Sequence, residues 1–145
     1  MAQTKGRLGW REIANRDAGR LRFPGSILVW EHGFDEGQPH GFDNLDRVTT
    51  EFTRWWRTTG AYREVIEWFA EQLVRLGWKV NPPPMSTEGN TFTRFSNAEW
   101  ETFFLVIKRR GYGLWWPPGL DEGTDTVYDT TYQVKPIRTG KTSSA

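Results

Sequence analysis

The stretch that decides the fold is residues 61–77, AYREVIEWFAEQLVRLG. Its apolar side chains recur at spacings of three and four residues, which places them on one stripe of an α-helix. Charged and amide residues occupy the opposite face, as expected for a helix that packs on one side only. Thr59 is the predicted N-cap, and Gly77 stands where a left-handed residue would end the helix. The predicted buried stripe consists of Tyr62, Val65, Ile66, Phe69, Leu73 and Leu76.

Runs of β-branched and aromatic residues on both sides of the helix predict strands. Residues 45–57 fit a helical stripe as well as an alternating strand, but their β-branched side chains favour the strand. Several strands joined by short connections predict an α+β fold, an antiparallel sheet of about five strands with one main helix, 61–77, across one face. The predicted strands are 27–30, whose apolar run is compatible with burial on both faces, 47–57, 78–80, 91–95, 100–109, and 124–137 with Tyr128, Thr130, Tyr132 and Val134 on one face.

The chain of 145 residues fits a single domain, which we place at residues 21–138. Residues 1–20 are predicted to form a basic arm, with at most one helical turn near 11–16 and with Trp10 and Ile13 as its anchors. Residues 31–46 are dense in Gly, Asp and Asn and predict a loop. Residues 139–145 are predicted to be a flexible tail.

Composition excludes several classes of protein. Absence of cysteine removes disulfides, thiolate metal sites and a cysteine nucleophile. No run approaches the roughly 20 apolar residues of a membrane span, and the first ten residues lack the apolar centre of a signal peptide. We therefore expect a soluble, cytoplasmic protein with no membrane contact. The net charge of +1 argues against a general nucleic-acid binder.

The charge is unevenly distributed along the chain. Residues 1–24 hold six Lys or Arg and two acidic residues, whereas residues 31–46 hold five acidic residues and no Lys or Arg. Opposite charges attract over several ångströms in water. We therefore expect the basic arm to lie against an acidic surface, either its own or that of a partner.

The segment RVTTEFTRWWRTTGAYREVIEWFAEQLVRLGW, residues 47–78, resembles the central pattern of small uncharacterised actinobacterial domains, many of them lipoproteins. In that pattern a Thr-rich strand ends near Trp, a helix follows, and Gly-Trp opens the next strand. Residues 23–29 and 100–108 are similar to the flanking parts, so the resemblance covers about 22–136. It implies an α+β arrangement of sheet and helix and carries over no catalytic residue. Here an export signal and a lipidated cysteine are absent and the loop after Trp30 is long and acidic, so surface attachment does not follow.

Both histidines lie in a short repeat, HGFD at residues 32–35 and again at 40–43. Imidazole and carboxylate groups together suit zinc and related ions, so His32, Asp35, His40 and Asp43 are candidate metal ligands. Their spacing matches no familiar metal motif. The competing interpretation is that each Gly-Phe-Asp forms a turn, with Phe docked as an anchor and Asp accepting backbone N–H groups. We favour the second interpretation and expect no metal and no other cofactor.

Aromatic residues beside arginine form the second candidate site. Adjacent residues of a strand point to opposite faces, so at least one ring of each Trp pair is predicted to meet solvent or a ligand. Such rings are over-represented at protein interfaces, although a wide ring can also cover a small core. The predicted partner-binding residues are Arg54, Trp55, Trp56, Arg57, Trp115 and Trp116.

Enzymatic motifs are absent from the sequence: there is no nucleophile elbow, phosphate-binding loop or dinucleotide fingerprint. The neighbouring carboxylates of Glu99 and Glu101 are predicted to lie on a solvated face. The sequence favours a non-catalytic binding module that meets a protein partner through exposed aromatic residues. Two alternatives stay open. One is a structural subunit that self-associates in a multimeric or phage-type assembly, and the other is a metal-dependent hydrolase built on the His32 and His40 loop.

Overall fold

The fold is α+β, as predicted, with an antiparallel sheet and one main helix. The computed structural model describes residues 9–35, 39–40, 45–46, 49–80, 85–87, 90–98, 100–108, 117–118, 120 and 125–135. The helices are α1 (Trp10–Ala14), a short 3₁₀-helix (Ala18–Arg20) and α2 (Tyr62–Arg75). The strands are β1 (Ile27–Phe34), β2 (Pro39–His40), β3 (Leu45–Asp46), β4 (Thr50–Thr58), β5 (Lys79–Val80), β6 (Met85–Thr87), β7 (Asn90–Ser96), β8 (Glu101–Lys108) and β9 (Thr126–Val134).

Within the described residues, six strands lie side by side in the order β1-β4-β9-β8-β7-β5. Every neighbouring pair is antiparallel. The three-residue strand β6 also pairs with β7, and β2 pairs with β3 in a separate small sheet. The sheet is therefore slightly larger than the predicted five strands. Its central strand β9 lies between β4 and β8, so the sequence-distant halves of the chain meet there.

Helix α2 covers one face of the sheet. The centre of its predicted stripe is confirmed, since Val65, Phe69 and Leu73 are fully buried. The ends of the stripe are wrongly predicted, because Tyr62 and Leu76 are 37% and 40% exposed. The first and last turns of the helix are thus less covered by the sheet than its centre is.

Both ends of α2 have identifiable causes. The Glu64 carboxylate reaches back and accepts the backbone N–H of Ala61 at 3.1 Å, as in half of a capping box. The predicted N-cap at Thr59 is therefore wrong by two residues. At the other end Gly77 has a φ of 94°, which confirms the left-handed terminator, since glycine adopts this conformation without steric cost.

The strand predictions are mostly confirmed, including the choice of strand over helix for the segment that becomes β4. On β9 the predicted face of Tyr128, Thr130, Tyr132 and Val134 is buried. Strand β1 differs from the prediction, because it continues to Phe34, through the start of the predicted loop. It lies at the edge of the sheet, and its first residues Ile27 and Leu28 are 55% and 43% exposed rather than buried on both faces.

Residues 9–20 of the predicted arm pack against the sheet. Ile13 is fully buried in the main core, and Trp10 lies against Gly33 of β1, where a Cβ atom would clash with the indole ring. The Arg54 side chain donates to the Gly19 carbonyl oxygen at 3.0 Å. Trp10 and Ile13 are therefore anchors, as predicted. Residues 1–8 and 139–145 lie outside the described residues.

No helix in the described part of the chain is long and apolar enough to cross a membrane.

Candidate binding cleft

The adjacent tryptophans Trp55 and Trp56 lie on opposite faces of β4, but neither ring is exposed. Trp56 is 4% exposed in the core beneath α2, where its indole N–H donates to the Thr130 hydroxyl at 3.2 Å. Trp55 is 5% exposed on the other face and packs with Leu120 and Val127. The prediction that one ring of this pair meets solvent is wrong, because a second, smaller cluster forms on the face opposite the helix.

The arginines beside this pair bind within the fold. Arg54 donates through Nε to Glu31 at 2.6 Å, and its guanidinium lies over the Phe52 ring. Arg57 forms an ion pair with Asp125 at 3.3 Å. These side chains tie β4 to its surroundings instead of offering a ligand surface. The other predicted partner-binding residues, Trp115 and Trp116, lie outside the described residues.

The first HGFD repeat belongs to β1 rather than to a turn. His32 is exposed and packs edge-on against the Phe34 ring, with 4.5 Å between ring centroids. Asp35 accepts a backbone N–H, as predicted, but the donor is the distant Trp10, at 2.8 Å, and not an amide of a local turn. In the described residues no three His or acidic side chains lie close enough to hold a metal ion. Asp43 and the side chain of His40 lie outside the described part.

A cleft of about 390 Å³ opens at one end of the molecule. Three connecting segments line it: the turn after α1 at residues 16–18, the end of α2 at residues 76–78, and the β7–β8 turn at Asn97, Ala98 and Glu101. Tyr132 of β9 contributes to it as well. The volume is at the lower end of the range for small-molecule and peptide pockets.

The floor of the cleft is a hydrogen-bonded network centred on Glu101. One carboxylate oxygen accepts from Arg16 Nη1 at 2.6 Å. The other accepts from the Tyr132 hydroxyl at 2.8 Å and from the Asn97 amide at 3.0 Å. The Glu101 side chain is only 10% exposed, whereas that of Arg16 is 42% exposed. Both carboxylate oxygens are thus engaged, and the guanidinium stands between the floor and solvent.

The acid–base properties of these groups argue against proton transfer. Burial, followed by the neighbouring Glu101, raises the pKa of the Tyr132 hydroxyl, so it stays a protonated donor. Burial opposes the charge on Arg16, but Tyr132 and Glu101 together raise the pKa of its guanidinium. A general base needs an available lone pair within reach of substrate. The Glu101 carboxylate already accepts three side-chain hydrogen bonds, so the network is suited to fixing Arg16 in place.

The predicted solvated face for Glu101 is wrong, and the sequence held the signal that shows it. Glu101 alternates with Phe103, Leu105 and Ile107 along β8, so all four side chains point to the buried face. Arg16 and Asn97 carried no such signal, because neither lies within a strand or helix of regular period. Sequence reasoning therefore missed the cleft.

Trp100, the residue directly before Glu101, has two unusual properties. It is the only non-glycine residue in the described chain with a positive φ, 62°, a conformation that costs a bulky residue about 1–2 kcal/mol. Its side chain is also 58% exposed. The Trp100 carbonyl oxygen accepts the backbone N–H of Lys135 at 3.0 Å, and the Lys135 ammonium lies over the ring. The fold thus holds a large aromatic surface in a fixed position next to Glu101.

A second buried carboxylate lies on the opposite face of the sheet. Asp129 of β9 is 7% exposed and pairs with Lys108 at 3.1 Å, whose ammonium lies over the Trp55 ring. Burial raises the pKa of Asp129, and Lys108 offsets this only in part. This pair therefore packs against Trp55 on the face opposite the helix.

We expect the Asp129→Asn substitution to change how stability depends on pH. Because the folded carboxyl binds its proton more tightly than the unfolded one, the wild type loses stability as the pH rises from the ordinary value of 3.8 through the raised pKa. The variant should therefore gain stability relative to the wild type over that interval. Urea unfolding between pH 4 and 8 measures this difference. Lys108→Met removes the cation that lowers the pKa of Asp129, so its stability should decline more than that of the wild type as the pH rises. Parallel pH curves for wild type and Asp129→Asn would contradict the expectation.

No family model, no curated protein and no solved structure matches the chain. The resemblance to small actinobacterial domains therefore stays a prediction. The described residues form a cleft with an ordered polar floor and a partly exposed arginine, and the exposed Trp100 directly precedes Glu101 of that floor.

Proposed function

We propose that this chain is a non-catalytic binding module that meets a protein partner at the cleft and at Trp100. The observation that carries the proposal is the conformation of Trp100, an exposed residue in a left-handed backbone geometry directly before Glu101 of the cleft. Strained residues persist where the surrounding structure fixes them, and they cluster at functional sites. Tryptophan is also among the residues that most often dominate binding energy at interfaces.

The surroundings of Trp100 support binding over catalysis. The Trp100 backbone is held by the hydrogen bond from Lys135 and the Lys135 ammonium lies over the ring, so part of the ordering cost is met before a partner covers it. Leu76 and Val74 at the end of α2 are 40% and 53% exposed, and Leu76 lines the same cleft. Apolar side chains beside a few fixed polar groups are typical of binding pockets, and the Glu101 carboxylate already accepts three side-chain hydrogen bonds.

The test uses a random-peptide library selected on the immobilised full chain alone, after which each selected peptide is titrated against wild type and the Trp100→Gly variant. Loss of an interface tryptophan commonly costs 2 kcal/mol or more, so selected peptides should bind the variant at least about 30-fold more weakly. Ile27→Ser is the matched control, because Ile27 is comparably exposed and lies on the edge strand β1, three strands away from β8. Peptides that bind wild type and Trp100→Gly equally would overturn the proposal.

Glycine is chosen at position 100 because it adopts a positive φ without strain. Trp100→Gly and Trp100→Ala both lose the ring, so the difference between their stabilities reports the effect of the backbone conformation alone. We expect the glycine variant to be more stable by about 1 kcal/mol, although glycine usually destabilises. Thermal unfolding of the two variants measures this, and a more stable alanine variant would contradict the left-handed conformation.

A structural subunit that self-associates is the second candidate, and exposed Ile27 and Leu28 on the edge strand β1 favour it. Edge strands with exposed apolar residues can pair with another chain. Size-exclusion chromatography with light scattering tests this proposal. A concentration-dependent oligomer that Ile27→Lys converts to a monomer would support it, and a wild-type monomer at all concentrations would overturn it.

A further inference from the structure

We infer that the cleft recognises a carboxylate attached to an apolar group, and that Arg16 binds this carboxylate. The inference rests on the proposed function and names the chemistry of the ligand. Its basis is the different positions of two charged residues. Glu101 is buried and accepts three side-chain hydrogen bonds, whereas Arg16 lies between Glu101 and solvent.

The Arg16 guanidinium is held in place by groups on the floor of the cleft. Its Nη1 donates to Glu101 at 2.6 Å, and the Tyr132 hydroxyl lies on the same side of the guanidinium. A guanidinium carries five N–H donors in a rigid plane. In the described residues its side-chain partners are Glu101 and Tyr132, so donors remain for the cleft, which Arg16 lines. An arginine oriented by a buried carboxylate is suited to binding a second carboxylate through two parallel hydrogen bonds.

The remaining walls of the cleft fit an apolar substituent. Leu76 and Trp78 line it from the end of α2, and Ala98 lines it from the β7–β8 turn. A cleft of about 390 Å³ is large enough for an amino-acid-sized group. A free carboxylate with one apolar side chain occurs at the carboxyl terminus of a polypeptide and in small carboxylic acids, and both sources present the same chemistry to Arg16.

Asp17 is a second charged residue at the cleft, and its effect on a ligand depends on the ligand's charge. It lines the cleft beside Arg16, and its side chain is 73% exposed, with a long contact of 3.4 Å to Arg20. A carboxylate at the rim repels an anionic ligand and attracts a cationic one. Neutralising Asp17 should therefore strengthen binding of a carboxylate and weaken binding of an amine, without disturbing the Glu101 network.

The first measurement is an NMR titration of the full chain with N-acetylleucine, with N-acetylleucinamide as the neutral match. We expect the acid to bind at least tenfold more tightly and to shift the backbone amide signals of Gly77 and Asn97. Arg16→Gln should weaken acid binding by about 10- to 100-fold, the range for a charge-assisted hydrogen bond, and Asp17→Asn should tighten it about threefold. Equal binding of acid and amide overturns the inference.

A second set of measurements uses a variant that is expected to fold, and it also distinguishes the two sources of the carboxylate. Arg16→Lys keeps the charge and the ion pair with Glu101 but loses the planar fork, so it should fold and bind the acid several-fold more weakly. Leucyl peptides with free and amidated carboxyl termini are compared in parallel. Tighter binding of the free peptide than of N-acetylleucine identifies a polypeptide terminus, and the reverse order identifies a small acid. Unchanged acid binding by Arg16→Lys and Arg16→Gln overturns the inference.

The two proposals fail in different ways. If library peptides depend on Trp100 but bind equally well with amidated carboxyl termini, the carboxylate inference is overturned and the binding module stands. If N-acetylleucine binds through Arg16 while no peptide depends on Trp100, the carboxylate inference stands and the protein-partner proposal is overturned.

Discussion

Replacing Phe69 with alanine is expected to lower the free energy of unfolding by about 3–5 kcal/mol. Phe69 is fully buried at the centre of α2. Its ring packs against Phe103 of β8 and Tyr128 of β9, with 5.7 Å between centroids in each case. The truncation removes apolar contacts and leaves a cavity between two rigid layers that cannot close fully. The total free energy of unfolding of a domain is roughly 5–15 kcal/mol, so the expected loss is a large fraction of it.

Urea unfolding followed by far-UV circular dichroism measures the effect of Phe69→Ala through a shift of the midpoint. Phe69→Leu keeps most of the volume and should cost less than half as much. Tyr62→Ala, on the same helix but 37% exposed, should cost under about 1 kcal/mol. If Phe69→Ala and Tyr62→Ala had equal effects, the central stripe of the helix would not be its main contact with the sheet.

The parts of the fold that the sequence predicts well are those with a local cause. The α2 stripe follows from a period of 3.6 residues, and the buried face of β9 follows from a period of two. Both patterns are visible at Val65, Phe69 and Leu73 and at Tyr128 and Tyr132. The prediction failed at Tyr62 and Leu76, because a periodic pattern shows which face is apolar and not how far the sheet extends beneath it.

The placement of Trp55 illustrates what one sequence cannot specify. Alternation correctly puts Trp55 and Trp56 on opposite faces, but a face is exposed only if nothing else covers it. Leu120 and Val127, more than 60 residues away in sequence, pack around Trp55. Such cover depends on the order of strands in the sheet, and strand order involves contacts between distant segments that no local period encodes.

The candidate cleft could be predicted only in part, for a related reason. The burial of Glu101 follows from its place in the alternation of buried and partly exposed residues along β8, and this alternation is visible in the sequence. Asn97 is a local partner, but Arg16 comes from the turn after α1 and Tyr132 from β9, and these two meet Glu101 only through contacts between distant segments. The positive φ of Trp100 has no sequence signal at all, since the residue types that favour it are glycine, asparagine and aspartate.

Glu101→Ala is expected to cost about 2–4 kcal/mol, the largest effect of any single change within the polar network of the cleft. It leaves the Tyr132 hydroxyl and the Asn97 amide without their acceptor, and Tyr132 is 1% exposed. A buried donor that loses its partner retains the full cost of desolvation. Arg16 contributes less to this cost, because its side chain is 42% exposed and solvent can replace the carboxylate. Urea unfolding of wild type and variant at neutral pH measures the loss.

Glu101→Gln removes the negative charge of the side chain and keeps its shape. The amide keeps one acceptor oxygen for Tyr132 but loses the negative charge that holds Arg16, so we expect a loss of about 1–2 kcal/mol. Glu71→Ala is the control, because its ion pair with Arg75 is more than half exposed and is worth under about 0.5 kcal/mol. A double-mutant cycle with Arg16→Gln should give a coupling of about 0.5–2 kcal/mol. No coupling would mean that Glu101 does not orient Arg16, and the ordered arginine on which carboxylate recognition depends would lose its support.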